Sequence, residues 1–319
     1  MKVGRWRYDG RVQEGFIRTE GVVAFPEDLT MSQVIAGGVA AAREACERTD
    51  PQLIPWHLVT LVAPLEPASI RDFVAFEEHV EGVSAAVDGR SQVVPEWYEA
   101  PTFYFTNPHT VLGTGELMSP PVTERLDFEL ELAAVVGGVE GSEGTSLTPD
   151  EAEDHIFGYT VMNDWSARDL QSREMRVRLG PCKGKDFGTT LGPWIVTADE
   201  LNRRCGPDGR MGLRAEVYVN GELVGQDLTS HMGWTFPELV AYASRNSVVR
   251  PGDVLGSGTV GNGGCLAELW GRRGVTDPPP LVQGDTVTMW IEGVGEITNV
   301  VGAARPAPPI RSARSAASV

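Results

Sequence analysis

Leu126-Asp-Phe-Glu-Leu-Glu-Leu132 is a strand-like stretch in which apolar and acidic side chains alternate. Side chains two apart on a strand lie on the same face, so Glu129 and Glu131 point to one side while the leucines and Phe128 pack on the other. Such alternation is also typical of an antiparallel strand with one solvated face. The pattern predicts a β-strand and leaves two interpretations of its acids: a solvated face or a cation site.

A third acid favours the cation site. Asp164 follows the apolar run Gly158-Tyr-Thr-Val-Met162 and leads into Trp165-Ser-Ala-Arg168. A carboxylate at the end of a buried strand is costly unless it is ion-paired or binds a metal. Three carboxylates without paired His or Cys ligands predict a site for a hard divalent cation, Mg²⁺, Mn²⁺ or Ca²⁺.

Composition and charge exclude several classes of function. The chain has 319 residues, 41% of them hydrophobic, which is enough to bury a full core. Its net charge of −17 repels phosphate backbones and anionic lipid, so we expect neither nucleic acid nor a membrane as a partner. The longest apolar run, at residues 34–42, is too short to span a bilayer, and we expect a cytoplasmic protein.

The cysteines and the glycine-rich motif do not point to a cofactor. Cys46, Cys182, Cys205 and Cys265 form no Cys-x-x-Cys pair, so we expect buried free thiols rather than a structural zinc site. The sequence Gly256-Ser-Gly-Thr-Val-Gly261 matches a dinucleotide-binding loop in its spacing, but no βαβ pattern surrounds it. We therefore expect no nucleotide there.

Local signals divide the chain into elements and domains. Residues 30–48 predict a helix with a weak point at Gly37-Gly38. Capping boxes begin at Thr148 and Thr235, and Asn220-Gly221 predicts a type I′ hairpin. We expect a small N-terminal domain at residues 1–65, a main, mostly β domain at 66–304 and a disordered tail at 305–319.

The chain resembles the fumarylacetoacetate hydrolase family in long and specific motifs. They are Met162-Asn-Asp-Trp-Ser-Ala-Arg-Asp-Leu-Gln171, Leu179-Gly-Pro181, Gly184-Lys-Asp-Phe-Gly-Thr-Thr190 and Pro193-Trp194, with one extra residue before Lys185. The likeness extends from about residue 69 to about residue 302. It implies an α+β, mostly β fold, a mixed β-sandwich roll with peripheral helices and a small N-terminal domain, in a homodimer.

The resemblance also implies a metal site. Its ligands would be Glu129, Glu131 and Asp164, with Asp72 of Asp72-Phe-Val74 as the fourth. Lys185 and Thr189 match positions that hold a second, structural Mg²⁺ in the family. Asp127 matches no ligand and would lie at the surface or behind the metal ligands.

The same resemblance implies a catalytic base. His79 lies seven residues after Asp72, at the family's spacing. A rival segment runs from Thr102-Phe-Tyr104 to His109 and has threonine in place of the acid. We prefer His79, and the choice between the two histidines stays open. His57, His155 and His231 are expected to be structural.

The implied roles extend to proton transfer and substrate binding. Glu268 would orient His79, which takes a proton from water. Arg168, Gln171 and Lys185 would donate hydrogen bonds to the alkoxide of a tetrahedral intermediate. The positions implied to contact the substrate are Val74, Tyr104, Gln171, Met175 and Thr259.

Three departures bear on the substrate. Val74 and Met175 replace tyrosines of the fumarylacetoacetate-cleaving members, and Asp88 replaces an arginine, although Arg90 is close. We therefore expect a metal-dependent hydrolase of a carbon–carbon bond in a β-diketo or acylpyruvate-like acid, a small keto-acid substrate. The alternatives are a decarboxylase or keto–enol isomerase on the same site, and a cation-stabilised binding protein.

Overall fold

The computed structural model describes residues 1–50, 52–88 and 92–314, with only the backbone of residues 85–88. The side chain of Asp88, Arg90 and residues 315–319 of the predicted tail therefore lie outside the described part. In the described part, Arg305 donates its backbone N–H to the carbonyl of Pro120 at 2.7 Å, so the first residue of the predicted tail is held by the fold.

Strands make up most of the regular structure. They are β1 (Lys2–Tyr8), β2 (Arg11–Arg18), β3 (Gly21–Ala24), β4 (Ile54–Pro55), β5 (Thr60–Val62), β6 (Ile70–Phe73), β7 (Phe103–Thr106), β8 (Val111–Leu112), β9 (Leu117–Met118), β10 (Leu126–Asp127), β11 (Leu130–Val136), β12 (Ile156–Asp164), β13 (Ser166–Ala167), β14 (Thr189–Thr197), β15 (Arg214–Val219), β16 (Glu222–Leu228), β17 (Val254–Gly256), β18 (Thr286–Ile291) and β19 (Gly295–Val301). The α-helices are α1 (Met31–Ala36), α2 (Gly38–Arg48), α3 (Glu77–Asp88), α4 (Pro149–Asp154), α5 (Arg168–Met175), α6 (Ala198–Leu201), α7 (Phe236–Ser244) and α8 (Leu266–Arg273).

The strands form a large mixed sheet and a smaller one. The large sheet has the order β4-β3-β2-β1-β14-β12-β11-β17-β6-β7, with β5 beside β1 and β8 beside β14. The smaller sheet has the order β16-β15-β18-β19-β9, and β10 pairs with β13 separately. Most pairs are antiparallel, but β17 runs parallel to β6. This mixed, strand-rich α+β architecture confirms the predicted fold class.

Strand β11 is buried on both faces. Its even-numbered residues from Leu130 to Val136 belong to the larger core, which also includes residues of the five-stranded sheet and of helices α4 and α7. Ala133 and Val135 belong to a second core, with residues of α1 and α2. Glu129 and Glu131 follow the parity of this second face, and both are buried. The interpretation of the alternation as a solvated face is therefore wrong.

The local sequence signals are confirmed. The helical segment breaks at Gly37, between α1 and α2. Thr148 and Thr235 each accept a hydrogen bond from the third residue of the following helix, which closes both capping boxes. Asn220 and Gly221 have φ angles of 53° and 84°, as the type I′ turn between β15 and β16 requires.

The N-terminal residues extend the main sheet. Strand β1 pairs with β14, with Lys2 opposite Val196. The predicted domain boundary at residue 65 stays a prediction. Among the described residues, no helix has both the length and the apolar character needed to cross a membrane.

A glycine sets the distance between α3 and α8. A Cβ atom on Gly82 would lie 2.3 Å from Cγ of Glu268, closer than side chains can approach. Helix α3 carries His79 and α8 carries Glu268, so this contact determines how near the two side chains come.

Gly82→Ala is therefore expected to destabilise the protein. Alanine favours a helix by about 1 kcal/mol over glycine, but the overpacked contact is expected to cost about 1–3 kcal/mol. Urea unfolding followed by tryptophan fluorescence measures the net change. Glu81→Ala on the exposed side of α3 is the matched control and should stay within about 0.5 kcal/mol of the parent. An equal or higher stability for Gly82→Ala would contradict the contact.

Candidate active site

Four buried carboxylates meet on neighbouring strands of the large sheet. Asp72 lies on β6, Glu129 directly precedes β11, Glu131 lies on β11, and Asp164 ends β12. Each is at most 5% exposed. Carboxylate oxygens of Asp72, Glu129 and Asp164 lie within 4.8 Å of one another. The structure thus brings together Asp72, Glu129 and Asp164, and Glu131 lies beside Asp72, since oxygens of both flank Gly256.

Sheet register and a glycine create the space for these acids. Gly256 on β17 lies opposite Asp72 on β6 and opposite Ala133 on β11. A Cβ atom at Gly256 would lie 2.5 Å from Oε2 of Glu131 and 2.8 Å from Oδ1 of Asp72. Any side chain there would displace the carboxylates. The first glycine of the dinucleotide-like motif therefore has a packing role in the acidic site.

Two side chains bridge the carboxylates. Nζ of Lys185 lies 2.6 Å from Oε2 of Glu129 and 2.6 Å from Oδ2 of Asp164. The hydroxyl of Tyr104 lies within hydrogen-bond distance of both Asp164 and Oδ2 of Asp72, the latter at 2.9 Å, and its single proton serves one of them at a time. Tyr104, predicted to contact the substrate, is thus part of the carboxylate cluster itself.

The acids divide into two groups by their pKa values. Burial and the charge of Asp164 raise the pKa of Asp72 well above its ordinary value. Burial, Asp72 and Glu129 do the same to the pKa of Glu131. Burial also acts to raise the pKa of Glu129, but the charges of Lys185 and Arg168 outweigh it and leave that pKa low. The positive charges of Lys185 and Arg168 therefore balance the negative charge of Glu129, but the charges of Asp72 and Glu131 are under-compensated.

Three of the acids have a carboxylate oxygen without a hydrogen-bond partner, which bears on whether they can bind a cation. Oδ1 of Asp72, Oε1 of Glu131 and Oδ1 of Asp164 are buried and accept no hydrogen bond from the described residues. A buried carboxylate oxygen without a partner is costly unless a cation binds it. Carboxylate oxygens alone are the ligand type that Mg²⁺, Mn²⁺ and Ca²⁺ prefer. The residues fit a hard divalent cation.

A buried ion-pair chain runs behind the acids. Arg168 donates through Nε to Oδ2 of Asp127 at 2.8 Å, and its Nη2 lies 2.8 Å from Oε1 of Glu129. Asp127 also accepts the backbone N–H groups of Leu266 and Ala267, the first turn of α8, at 2.8 and 3.0 Å. Asp127 is 0% exposed, so the surface position considered for it is wrong, and it lies behind the carboxylate cluster.

His79 lies beside Glu268 and close to the acids. Nδ1 of His79 is 3.7 Å from Oε2 of Glu268, and both side chains are buried. Oε1 of Glu268 is held by Arg272 at 2.9 Å and by the N–H of Gly263 at 3.2 Å. Oε2 has no hydrogen-bond partner in the described part of the chain, so it is available to accept a hydrogen bond from the ring. Glu129 offers an oxygen within 4.8 Å of a His79 ring nitrogen.

The other predicted site residues differ in their burial and hydrogen bonding. Oε1 of Gln171 accepts from Nη1 of Arg168 at 3.0 Å. The hydroxyls of Thr189 and Thr259 are buried without a hydrogen bond to the described residues. Val74 is half-buried and Met175 is 50% exposed. Their roles toward a substrate stay predictions.

The remaining histidines lie elsewhere. His109 is exposed on a 3₁₀-helix, Pro108–Thr110, outside the carboxylate cluster. His155 is buried between Ser142 and the carbonyl of Gly137, and His231 pairs with Asp227 at 2.6 Å.

The cysteines are only partly as expected. All four are free thiols, but only Cys265 is buried, and Cys182 is exposed. Sequence reasoning missed three site residues: Cys265, Arg272 and Gly256. Arg272 could have been found, because it lies one helical turn after Glu268, where opposite charges on a helix pair.

Comparison with known proteins identifies the family of the chain. The family model of the fumarylacetoacetate hydrolase C-terminal domain matches residues 68–302. Fumarylacetoacetase of Arabidopsis thaliana is 31% identical over 286 residues, which are 75% of this chain and 66% of that enzyme. An oxaloacetate tautomerase of Bacillus subtilis is 34% identical over 206 residues, 64% of this chain and 62% of that protein. The chain spans about two thirds of the length of these relatives.

Solved structures share the fold. Fumarylacetoacetate hydrolase from Exiguobacterium antarcticum has a TM-score of 0.72 and 27% identity, covering 95% of this chain and 99% of its own. Maleylpyruvate hydrolase from a Sphingobium species, solved with manganese(II) and pyruvate, has a TM-score of 0.66 at 21% identity over 96% of this chain and 100% of its own. This second likeness shows the fold alone. The matched domain extends over most of the sequence, and the chain belongs to the fumarylacetoacetate hydrolase family.

Proposed function

We propose that this protein hydrolyses a carbon–carbon bond in a small β-diketo or acylpyruvate-like acid, with a divalent cation held by Asp72, Glu129, Glu131 and Asp164. The observation that carries the proposal is the position of His79. It lies between a buried glutamate that can orient it and a cluster of carboxylates that fits a cation. A base next to a cation is what the attack of water on a carbonyl requires.

The cation would supply electrostatic activation. When bound, it would polarise a substrate carbonyl and stabilise the enolate fragment that leaves. The unpartnered oxygens of Asp72, Glu131 and Asp164 support this assignment. The maleylpyruvate hydrolase structure indicates that the same fold can hold manganese and a keto acid together.

His79 would act as the general base. Glu268 lies on the Nδ1 side of the ring, so a proton on Nδ1 leaves Nε2 free to accept a proton from water. The distance of 3.7 Å between Nδ1 and Oε2 is longer than a hydrogen bond. Catalytic pairs of this kind tighten once substrate is bound and the ring gains charge.

Arg168, Gln171 and Lys185, the expected donors to the alkoxide, differ in which of their N–H groups are already paired. Two groups of Arg168, Nε and Nη2, pair with Asp127 and Glu129, so this side chain is better placed to position Glu129 than to bind an alkoxide. The amide oxygen of Gln171 is occupied by Arg168, which leaves its NH₂ group to donate. Lys185 makes two short contacts with acids and keeps a third N–H. We propose Gln171 and Lys185 as the donors.

A second candidate is a keto–enol isomerase of a small keto acid. The 34% identity to an oxaloacetate tautomerase favours it, because that enzyme's name describes proton movement without cleavage. The same His79 could move a proton between carbon and oxygen. Analysis of the products by NMR distinguishes the two: a hydrolase gives two fragments from an acylpyruvate, and an isomerase gives one rearranged molecule.

His79→Ala is expected to lower kcat by about 10²–10⁴-fold, the usual contribution of a general base. Consumption of an acylpyruvate such as acetylpyruvate, followed by the loss of its enol absorbance with Mg²⁺ or Mn²⁺ present, measures the change. His109→Ala, at the exposed histidine, is the matched control and should retain parental turnover. The assignment fails if His109→Ala loses activity while His79→Ala keeps it.

Divalent cations are expected to stabilise the folded protein. Mg²⁺ or Mn²⁺ at about 100 times its dissociation constant should add about 2.7 kcal/mol relative to EDTA. Asp72→Asn removes one under-compensated charge, so it should raise the Tm in EDTA and reduce the gain from metal. The matched control is Asp50→Asn at an exposed position, which should follow the parent in both buffers. A parental Tm that is the same with EDTA and with either cation would refute the metal site.

A further inference from the structure

The proposed reaction leaves one buried thiol beside the base without a role. Sγ of Cys265 lies 3.8 Å from Nδ1 of His79. Ligand atoms of Cys265, His79 and Glu129 all lie within 4.8 Å of one another, and all three side chains are buried. An imidazole, a thiol and a carboxylate therefore converge at a point next to the four-carboxylate site.

This ligand set selects a different kind of metal from the carboxylates. Thiol and imidazole ligands favour Zn²⁺, whereas Mg²⁺ and Ca²⁺ prefer oxygen. With Zn–S near 2.3 Å and Zn–N near 2.0–2.1 Å, two ligand atoms on one tetrahedral ion lie about 3.5 Å apart. The observed 3.8 Å between Sγ and Nδ1 is close to that separation.

A second observation points to a ligand at this place. Oε2 of Glu268 is fully buried, has no hydrogen-bond partner in the described part of the chain and lies 3.7 Å from the same Nδ1 atom. Arg272 and the N–H of Gly263 hold the other oxygen, so Oε2 stays directed toward the ring. An unpartnered carboxylate oxygen thus faces the nitrogen that already lies near the thiol.

We propose that His79, Cys265 and the carboxylate of Glu268 or Glu129 form an inhibitory site for Zn²⁺ or a similar thiophilic cation. On binding, the Cys265 thiol releases its proton to solvent, and the His79 ring changes tautomer, losing its Nδ1 proton to solvent and taking one up at Nε2. The thiolate, the Nδ1 lone pair and a carboxylate oxygen then coordinate the ion. A ring coordinated through Nδ1 carries its proton on Nε2 and cannot accept another. The inhibition rests on the proposed role of His79, whereas the binding does not.

Cobalt(II) provides a direct probe of this binding, because a cobalt–thiolate bond gives a charge-transfer band in the near ultraviolet. The protein is first saturated with Mg²⁺ so that the carboxylate site is filled, and Co²⁺ is then titrated. We expect the band in the parent and in Cys182→Ser, and its loss in Cys265→Ser. Both variants should fold. Cys182 is exposed, and Cys265 is the N-cap residue of α8, a position that serine favours. A band that persists in Cys265→Ser, or that disappears in Cys182→Ser, would overturn the site.

Inhibition is measured separately, on acylpyruvate turnover with Mg²⁺ held constant. Cys265→Ser should raise the Zn²⁺ concentration for half-inhibition at least 10-fold. Equal zinc sensitivity in parent and variant would reject the inhibitory role. X-ray absorption on the zinc-loaded parent is independent of any variant and of activity: we expect one sulfur at about 2.3 Å. A shell of only oxygen and nitrogen would reject the site even if the protein turned over no diketo acid.

Discussion

Mutual repulsion among four buried carboxylates is the constraint around which the rest of this structure is arranged. At the separations seen here, like charges in a protein interior repel by several kcal/mol. Lys185, Arg168 and Tyr104 reduce that repulsion through direct contacts. They do not remove it, since the pKa values of Asp72 and Glu131 remain well above their ordinary range because of burial and neighbouring charge. A divalent ion is the simplest complement to what is left.

Arg168 and Asp127 connect this acidic site to α8, the helix that carries Glu268. Asp127 binds the first turn of α8 through two backbone N–H groups and binds Arg168 through its carboxylate. Arg168 in turn holds Glu129. Helix α8 carries Glu268, which faces His79. Displacement of α8 would therefore also disturb a proposed metal ligand, so Glu268 and the acids are held as one unit.

The sequence could predict the acids but not all of their surroundings. Alternation placed Glu129 and Glu131 on one face, and burial after an apolar strand singled out Asp164. Asp127 has the same parity as these two acids, yet its carboxylate binds the first turn of α8 and Arg168 instead of joining the cluster. This face of the strand is buried because α1 and α2 cover it. The alternation within the strand does not indicate whether other elements cover the face.

Long-range packing explains the other omissions. The contact between Cys265 and His79 joins α8 to α3, elements that lie far apart in the sequence, and no periodicity predicts it. The role of Gly256 became visible only when its neighbours on β6 and β11 were known. The family motifs predicted the spacing from Asp72 to His79. Only the structure shows that His79 is buried and His109 is exposed.

The parallel pairing of β6 with β17 has a consequence for folding. Asp72 reaches the other acids only after the chain has closed the long loop between these strands. Pairings of this kind form late, because their loop-closure entropy is lost before the contacts are gained. Partly folded chains thus lack an assembled set of acids, and a bound cation would act mainly by slowing unfolding. For such a chain, the metal would extend the lifetime of the native state rather than guide its formation.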